Sequence, residues 1–278
     1  MRAEIRAKRD AFFAAIGNIP LVMGILNLTP DSFSDGGLHQ SPGAAFAHAR
    51  EMVEEGCAIV DIGAESTRPG NTPVNEQDEI DRLLPVLERI IDGVDAPVSI
   101  DTTKARVAMI ACRLGVVLVN DVWGLQKDPA IADVAAEFEA GVVITHNRDE
   151  KDPAADIISD MRVFFDRSLG IAERAGVPRG RIILDPGIGF AKTAQQNLRA
   201  FGGVGRLAAD YGLPVLIGAS RKRFLGSLTG DGSEGLLVGS IAVNLAAAAA
   251  GAAIFRVHDV AENVTALRLF AQLRAAAG

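Results

Sequence analysis

A single α/β domain built as a (β/α)8 (TIM) barrel, with long loops after its first two strands, is the fold this sequence predicts. Three observations predict it. Short, almost wholly apolar β-branched runs recur along the chain, eight in all, as parallel strands covered on both faces do. A helical pattern separates each run from the next, so strand and helix alternate. A polar or charged residue stands at or shortly after the C-terminal tip of each run, and a barrel gathers such tips on the one face where active sites of this fold lie. An open doubly wound sheet would instead carry a glycine-rich nucleotide turn after its first strand. Neither Gly187-Ile188-Gly189 nor Gly203-Val204-Gly205 completes that fingerprint.

In chain order, residues 1–19 form a charged helical lead-in whose Ala11-Phe12-Phe13 is available to pack on the barrel, and residues 20–278 form the barrel itself. Strands are expected at 21–26, 58–62, 97–100, 116–119, 142–145, 182–184, 214–217 and 253–255, from their β-branched content. Helices are expected at 44–55, 77–91, 104–114, 130–138, 155–175, 195–211, 236–250 and 260–273. The second has the clearest apolar face, with Ile80, Leu83, Leu84, Leu87, Ile90 and Ile91 at helical spacing. Ser41-Pro42, Asp128-Pro129 and Asp152-Pro153 read as helix openings, and Gly56, Gly115, Gly176 and Gly212 as closings.

Three stretches need separate treatment. The loop after the first strand, Asn27-Leu28-Thr29-Pro30-Asp31-Ser32-Phe33-Ser34-Asp35-Gly36-Gly37, holds more hydroxyls, amide and carboxylates than a connection requires. Residues 236–255 are long and apolar enough for a membrane span. They are alanine-rich without aromatic anchors, however, and read as a buried helix running into a strand. The charged run Arg148-Asp149-Glu150-Lys151-Asp152 reads as a solvated loop.

The strand tips are, in order, Asn27; Asp61, followed by Glu65-Ser66-Thr67-Arg68; Asp101; Asn120 with Asp121; His146; Asp185; Ser220-Arg221-Lys222; and Arg256 with His258. Each alone has a plain reading: Asp101 as a helix N-cap, His146 as a satisfied core histidine. Together they do not, because Arg256 and Lys222 cannot cap a helix N-terminus. Asp101, Asn120, Asp185 and Lys222 offer the acceptors and donors that an amino-pyrimidinone ring matches. Arg68, Arg256 and His258, with Ser66 and Thr67, make an anion-binding set. Asn27 supplies oxygen for a hard cation such as Mg²⁺. The expected ligand is a heterocycle deep in the barrel with a phosphorylated tail at its mouth.

A net charge of −7 and a pI near 5.2 exclude a general nucleic-acid or membrane-surface binder. The two cysteines, Cys57 and Cys112, have no metal-ligand spacing and suit a reducing compartment. No secretory signal is read at the start of the chain, so a cytoplasmic protein is expected.

The runs 23–37 and 61–70 resemble the two signature loops of the dihydropteroate synthase family, and Leu184-Asp185-Pro186-Gly187-Ile188-Gly189-Phe190, Ser220-Arg221-Lys222 and Arg256-Val257-His258-Asp259 resemble its later motifs. The resemblance implies a barrel that joins 6-hydroxymethyl-7,8-dihydropterin diphosphate to para-aminobenzoate, yielding 7,8-dihydropteroate and pyrophosphate for folate biosynthesis. It implies that Asp101, Asn120, Asp185 and Lys222 hold the pterin, and that Thr67, Arg68, Arg256 and His258 hold the diphosphate. It assigns Asn27 to Mg²⁺, gives Ser66, Pro69, Phe190, Lys222 and Phe33 the aminobenzoate pocket, and makes Arg68, Lys222 and Arg256 the catalytic cations. A homodimer through the late alanine- and leucine-rich helices is implied as well. On this division of labour Arg256→Ala should cripple turnover while sparing free-pterin binding. The chain departs from the family pattern at Asn147, where methionine is usual, and at Ala64 and Ala219. Two alternatives stand beside this reading: the methyltetrahydrofolate-binding barrel of corrinoid methyltransferases, which has little use for a diphosphate set, and a non-catalytic pterin-binding paralogue.

Overall fold

The computed structural model describes residues 2–28, 41–65, 73–222, 224–226 and 232–277. Its strands are β1 (Leu21–Asn27), β2 (Ile59–Gly63), β3 (Val98–Asp101), β4 (Leu118–Asp121), β5 (Gly141–Thr145), β6 (Ile182–Asp185), β7 (Leu216–Ile217) and β8 (Ile254–Val257). All pair in parallel, each with its neighbour in sequence, and β1 also pairs with β8. Between β6 and β7 the ring closes through a bridge of Leu184 with Val215, the Leu184 N–H donating to Pro214 O at 2.9 Å. The expected barrel is therefore present. Its strands are mostly apolar because their inner faces fill the barrel and their outer faces meet helices.

The surrounding helices are α2 (Pro42–Glu54), α3 (Glu76–Gly93), α4 (Ala105–Leu114), α5 (Ala130–Glu137), α6 (Ile157–Ala175), α7 (Ala194–Gly202), α8 (Val204–Tyr211), α9 (Ser233–Ala249) and α10 (Val260–Ala277). Ser41 caps α2 as expected, its side chain accepting from the Ala44 N–H at 3.1 Å. In α3 the periodic residues Ile80, Leu83, Leu87, Ile90 and Ile91 are buried.

Among the boundaries that differ from the sequence reading, three have a local cause. The helix expected from 155 starts at Ile157, because Asp156 and not Asp152 is the cap that accepts from a helical N–H. The helix expected over 195–211 is two helices, broken at Gly203; the first opens on a capping box made by Thr193 and Gln196. The fourth strand begins two residues late, since Gly115 (φ +130°) and Val116 still close the turn of α4 on Ala111 O. The apolar stretch 236–255 is split between α9 and β8, and no described helix is long and apolar enough to cross a membrane.

The lead-in is helix α1 (Ala3–Ala15), and it closes the lower end of the barrel. Phe12 is buried in the core; Ile5 lies against Gly115 and Phe13 against Gly141, close enough that a β-carbon at either glycine would collide. Lys8 donates to Val94 O (2.8 Å), and the buried Arg9 donates to Glu139 O (3.0 Å). All these partners precede or open β3, β4 or β5, so α1 seals the end opposite the strand tips.

Candidate active site

Parallel register brings the tips of β1 to β4 level. Gly63 pairs with Asn27 on one side and Asp101 on the other, and Asp101 pairs with Asn120. A side chain on Gly63 would press within 3.3 Å of Asp101 Cβ and 3.9 Å of Asn27 Oδ1, so the glycine keeps the space between them. Asp61, deeper on β2, is fully buried.

Arg256 crosses from β8 to meet this group. Its Nε donates to Asp61 Oδ2 (2.6 Å) and its Nη2 to Asp101 Oδ2 (2.7 Å), while Asn120 Nδ2 donates to the same Asp61 oxygen (3.1 Å). Four strands thus share one hydrogen-bonded set. The remaining oxygens, Asp61 Oδ1 and Asp101 Oδ1, are buried without a hydrogen-bond partner among the described residues. Such acceptors are costly to leave unmet and are satisfied by N–H groups brought by a ligand.

The other half of the rim adds Asp185, Ser220, Lys222 and His258. Asp185 Oδ1 accepts from the Gly187 N–H (2.7 Å), and its second oxygen faces Gly218, where a β-carbon would come within 3.6 Å. Lys222 donates to Ile188 O, and its Nζ stands 4.3 Å above the Phe190 ring centroid. Ser220 Oγ accepts from the His258 N–H (3.2 Å) and lies 3.1 Å from His258 Nδ1.

Burial sets the electrostatics. It raises the Asp101 carboxyl to about 7, against the pull of Arg256 and with help from the Asp61 and Glu79 carboxylates. Burial likewise raises Asp185 and lowers Lys222 to about 8, each opposed by the other's charge. These charges are held in a site poor in water, where a complementary ligand gains most from meeting them.

A family model described as "Pterin binding enzyme" matches residues 23–258. The dihydropteroate synthase of Bacillus subtilis is 46% identical over 240 residues, 86% of this chain and 84% of that protein. Among solved structures, the dihydropteroate synthase of Clostridium difficile with pteroic acid superposes with a TM-score of 0.88 at 42% identity, covering 93% of this chain and 98% of that one. That of Xanthomonas albilineans with 4-aminobenzoic acid gives 0.87 at 41%, covering 93% and 94%. The chain belongs to the dihydropteroate synthase family.

Of the residues expected in a dihydropteroate synthase site, Asp101, Asn120, Asp185, Lys222, Arg256, His258, Phe190 and Asn27 all lie on the strand-tip face. Phe33, Ser66, Thr67, Arg68 and Pro69 lie outside the described residues. The structure adds partners for Arg256 that the motif does not show: its guanidinium is bonded to the carboxylates of Asp61 and Asp101. The solvated-loop reading of 148–152 holds for the exposed residues 149–152, while Arg148 is mostly buried and donates to Ala191 O (2.9 Å). The departure at Asn147 is compensated locally: its amide donates to Val122 O (3.0 Å) and accepts from the Arg148 N–H (2.8 Å).

Two residues close to this group were not assigned from sequence. Asp61 was seen as a strand end but given no partner, because only register places it under Arg256. Lys192 was overlooked altogether. It is buried beside His146, with Nζ 2.8 Å from Nδ1, and the available signal was a cation directly before the capping box of α7, at the positive end of a helix.

Proposed function

We propose that this enzyme condenses 6-hydroxymethyl-7,8-dihydropterin diphosphate with para-aminobenzoate, releasing pyrophosphate and forming 7,8-dihydropteroate. One observation carries the reading: Asp61, Asp101, Asn120 and Asp185 converge as buried acceptors, two of their oxygens unmet, in a cup closed by Arg256 and Lys222. A flat ring edged with N–H groups satisfies that set, and a carboxylate takes two parallel N–H bonds from it.

The chemistry then needs support for a leaving group more than a protein nucleophile. The bond from the pterin methylene carbon to the diphosphate oxygen breaks, and the electron-rich ring spreads the positive charge left behind. The arylamine nitrogen forms the new bond and loses a proton. In this account Asp185, Asn120, Asp101 and Lys222 hold the ring, and Arg256 spans the ring carboxylates and the departing oxygens with Thr67, Arg68 and His258. Ser66, Pro69, Phe33, Phe190 and Lys222 bound the aminobenzoate.

No cluster of three or more His, Cys, Asp or Glu side chains able to cage a metal is found among the described residues. Asn27, alone with an amide oxygen at the tip of β1, fits an ion that arrives mainly on phosphate oxygens, as Mg²⁺ does. Bound there, Mg²⁺ would neutralise charge on the departing diphosphate. We further propose a homodimer through α9 and α10, which expose Val238 (58%), Leu269 (55%) and Leu273 (62%), checked by light scattering in solution. A cytoplasmic setting agrees with the buried free thiols Cys57 and Cys112.

The test is incubation of the protein with the pterin diphosphate, para-aminobenzoate and Mg²⁺. Dihydropteroate and pyrophosphate should appear in equal amounts and only with all components present; absence of both, or pyrophosphate alone, would contradict the reading.

A further inference from the structure

Lys192 is 3% exposed and sits immediately before Thr193, the N-cap of α7. A buried ammonium at the positive end of a helix is unfavourable unless specific partners hold it. Four acceptors surround its Nζ: Gly187 O and His146 Nδ1 at 2.8 Å, His146 O at 3.3 Å and Phe190 O at 3.4 Å. All belong either to the tip of β5 or to the turn that follows β6. That turn is pressed on β5: Gly187 has φ +67°, and a β-carbon there would fall 1.8 Å from His146 O.

The same turn carries much of the ring site. Gly187 N–H donates to Asp185 Oδ1 (2.7 Å), Ile188 O accepts from Lys222, and the Phe190 ring lies under Lys222 Nζ. On the far side His146 Nε2 is 3.0 Å from Asp160 Oδ2 on α6. If the Lys192 ammonium donates to Nδ1, the imidazole proton sits on Nε2 and is given to Asp160.

We propose that Lys192 is a positioning residue for the ring site, tying the turn after β6 to His146 and so setting the places of Asp185, Phe190 and Lys222. It touches no substrate atom in this account. The proposal rests on the pterin reading given above; burial lowers the Lys192 ammonium to about 7, opposed by the Asp185 carboxylate.

The test compares the unmodified enzyme with Lys192→Met and Lys192→Arg. Three quantities are read: the dissociation constant of free 6-hydroxymethyl-7,8-dihydropterin, inhibition by pyrophosphate, and the ¹⁵N shifts of His146. Lys192→Met should weaken the free pterin about tenfold or more, the loss expected of charge-assisted hydrogen bonds, while pyrophosphate inhibition stays the same. Lys192→Arg, keeping the charge and donors, should restore much of the loss. Equal losses of pterin and pyrophosphate in Lys192→Met, or an unchanged pterin affinity, would overturn the proposal. Should Lys192→Met not fold, the unmodified enzyme still decides: His146 must show a neutral ring protonated on Nε2, and a ring protonated on Nδ1 would refute the tie. Failure of the unmodified enzyme to bind pterin at all would instead refute the function, a separate outcome.

Discussion

At the scale of single residues, Arg256 and His146 carry the sharpest consequences. Arg256 neutralises Asp61 and Asp101 at 2.6 and 2.7 Å, so its removal leaves two buried carboxylates facing each other. Arg256→Ala should therefore lower turnover by about a hundredfold or more and also weaken free-pterin binding, not spare it as the motif alone suggested. It should cost about 3 kcal/mol of stability in urea unfolding, since breaking a buried pair strands its partner. Intact pterin affinity in that variant would restore the original division of labour. His146 is fully buried, and burial, with the Lys192 and Arg148 cations adding, holds its pKa down to about 2 from an ordinary 6.5. The unfolded chain then binds the extra proton as pH falls below 6.5, so stability is complete above that pH and lost progressively toward pH 2. Unfolding measured at two pH values should show a loss of about 1.4 kcal/mol per pH unit from this group below its unfolded pKa. His146→Gln should flatten that slope; an equal slope in both proteins would exclude His146 as its source.

At the scale of elements, the strands and the polar residues at their ends were legible because each depends on a local pattern: a short apolar run, then a hydrogen-bonding group. Helix boundaries were less legible where two caps competed, as Asp152 and Asp156 did before α6, and where Gly203 split a continuous apolar pattern. Helix α1 shows another limit. Phe12 and Phe13 were visible as apolar side chains, but nothing local says that they plug the end of the barrel beneath β4 and β5. Because α1 lies opposite the site, Phe12→Ala should cost about 3 kcal/mol or more in stability while leaving kcat and both KM values nearly unchanged at a temperature where the variant is folded. A selective kinetic defect there would mean that α1 reaches the site.

At the scale of the whole molecule, closure of the ring turns residues far apart in sequence into neighbours. Arg256 and Asp61 are separated by 195 positions and bonded at 2.6 Å. Sequence reading could place both at strand ends, yet it could not tell a rim from a floor, because depth comes from strand register and tilt. That is why most strand-tip residues were read in advance, while the bonding of Arg256 to Asp61 and Asp101 and the place of Lys192 were not. The departure at Asn147 follows the same rule: sequence shows only an amide where methionine is usual, and the fold gives that amide partners on two different loops.

The claim on which the rest depends is that buried carboxylates at the strand tips recognise the N–H edge of a pterin. Titration of free 6-hydroxymethyl-7,8-dihydropterin into the unmodified protein and into Asp185→Asn measures it most directly. The account predicts saturable binding to the former and binding weaker by about a hundredfold in the latter, with the fold intact, because the new amide places a donor where the ring needs an acceptor. Equal affinity for the two proteins would contradict it.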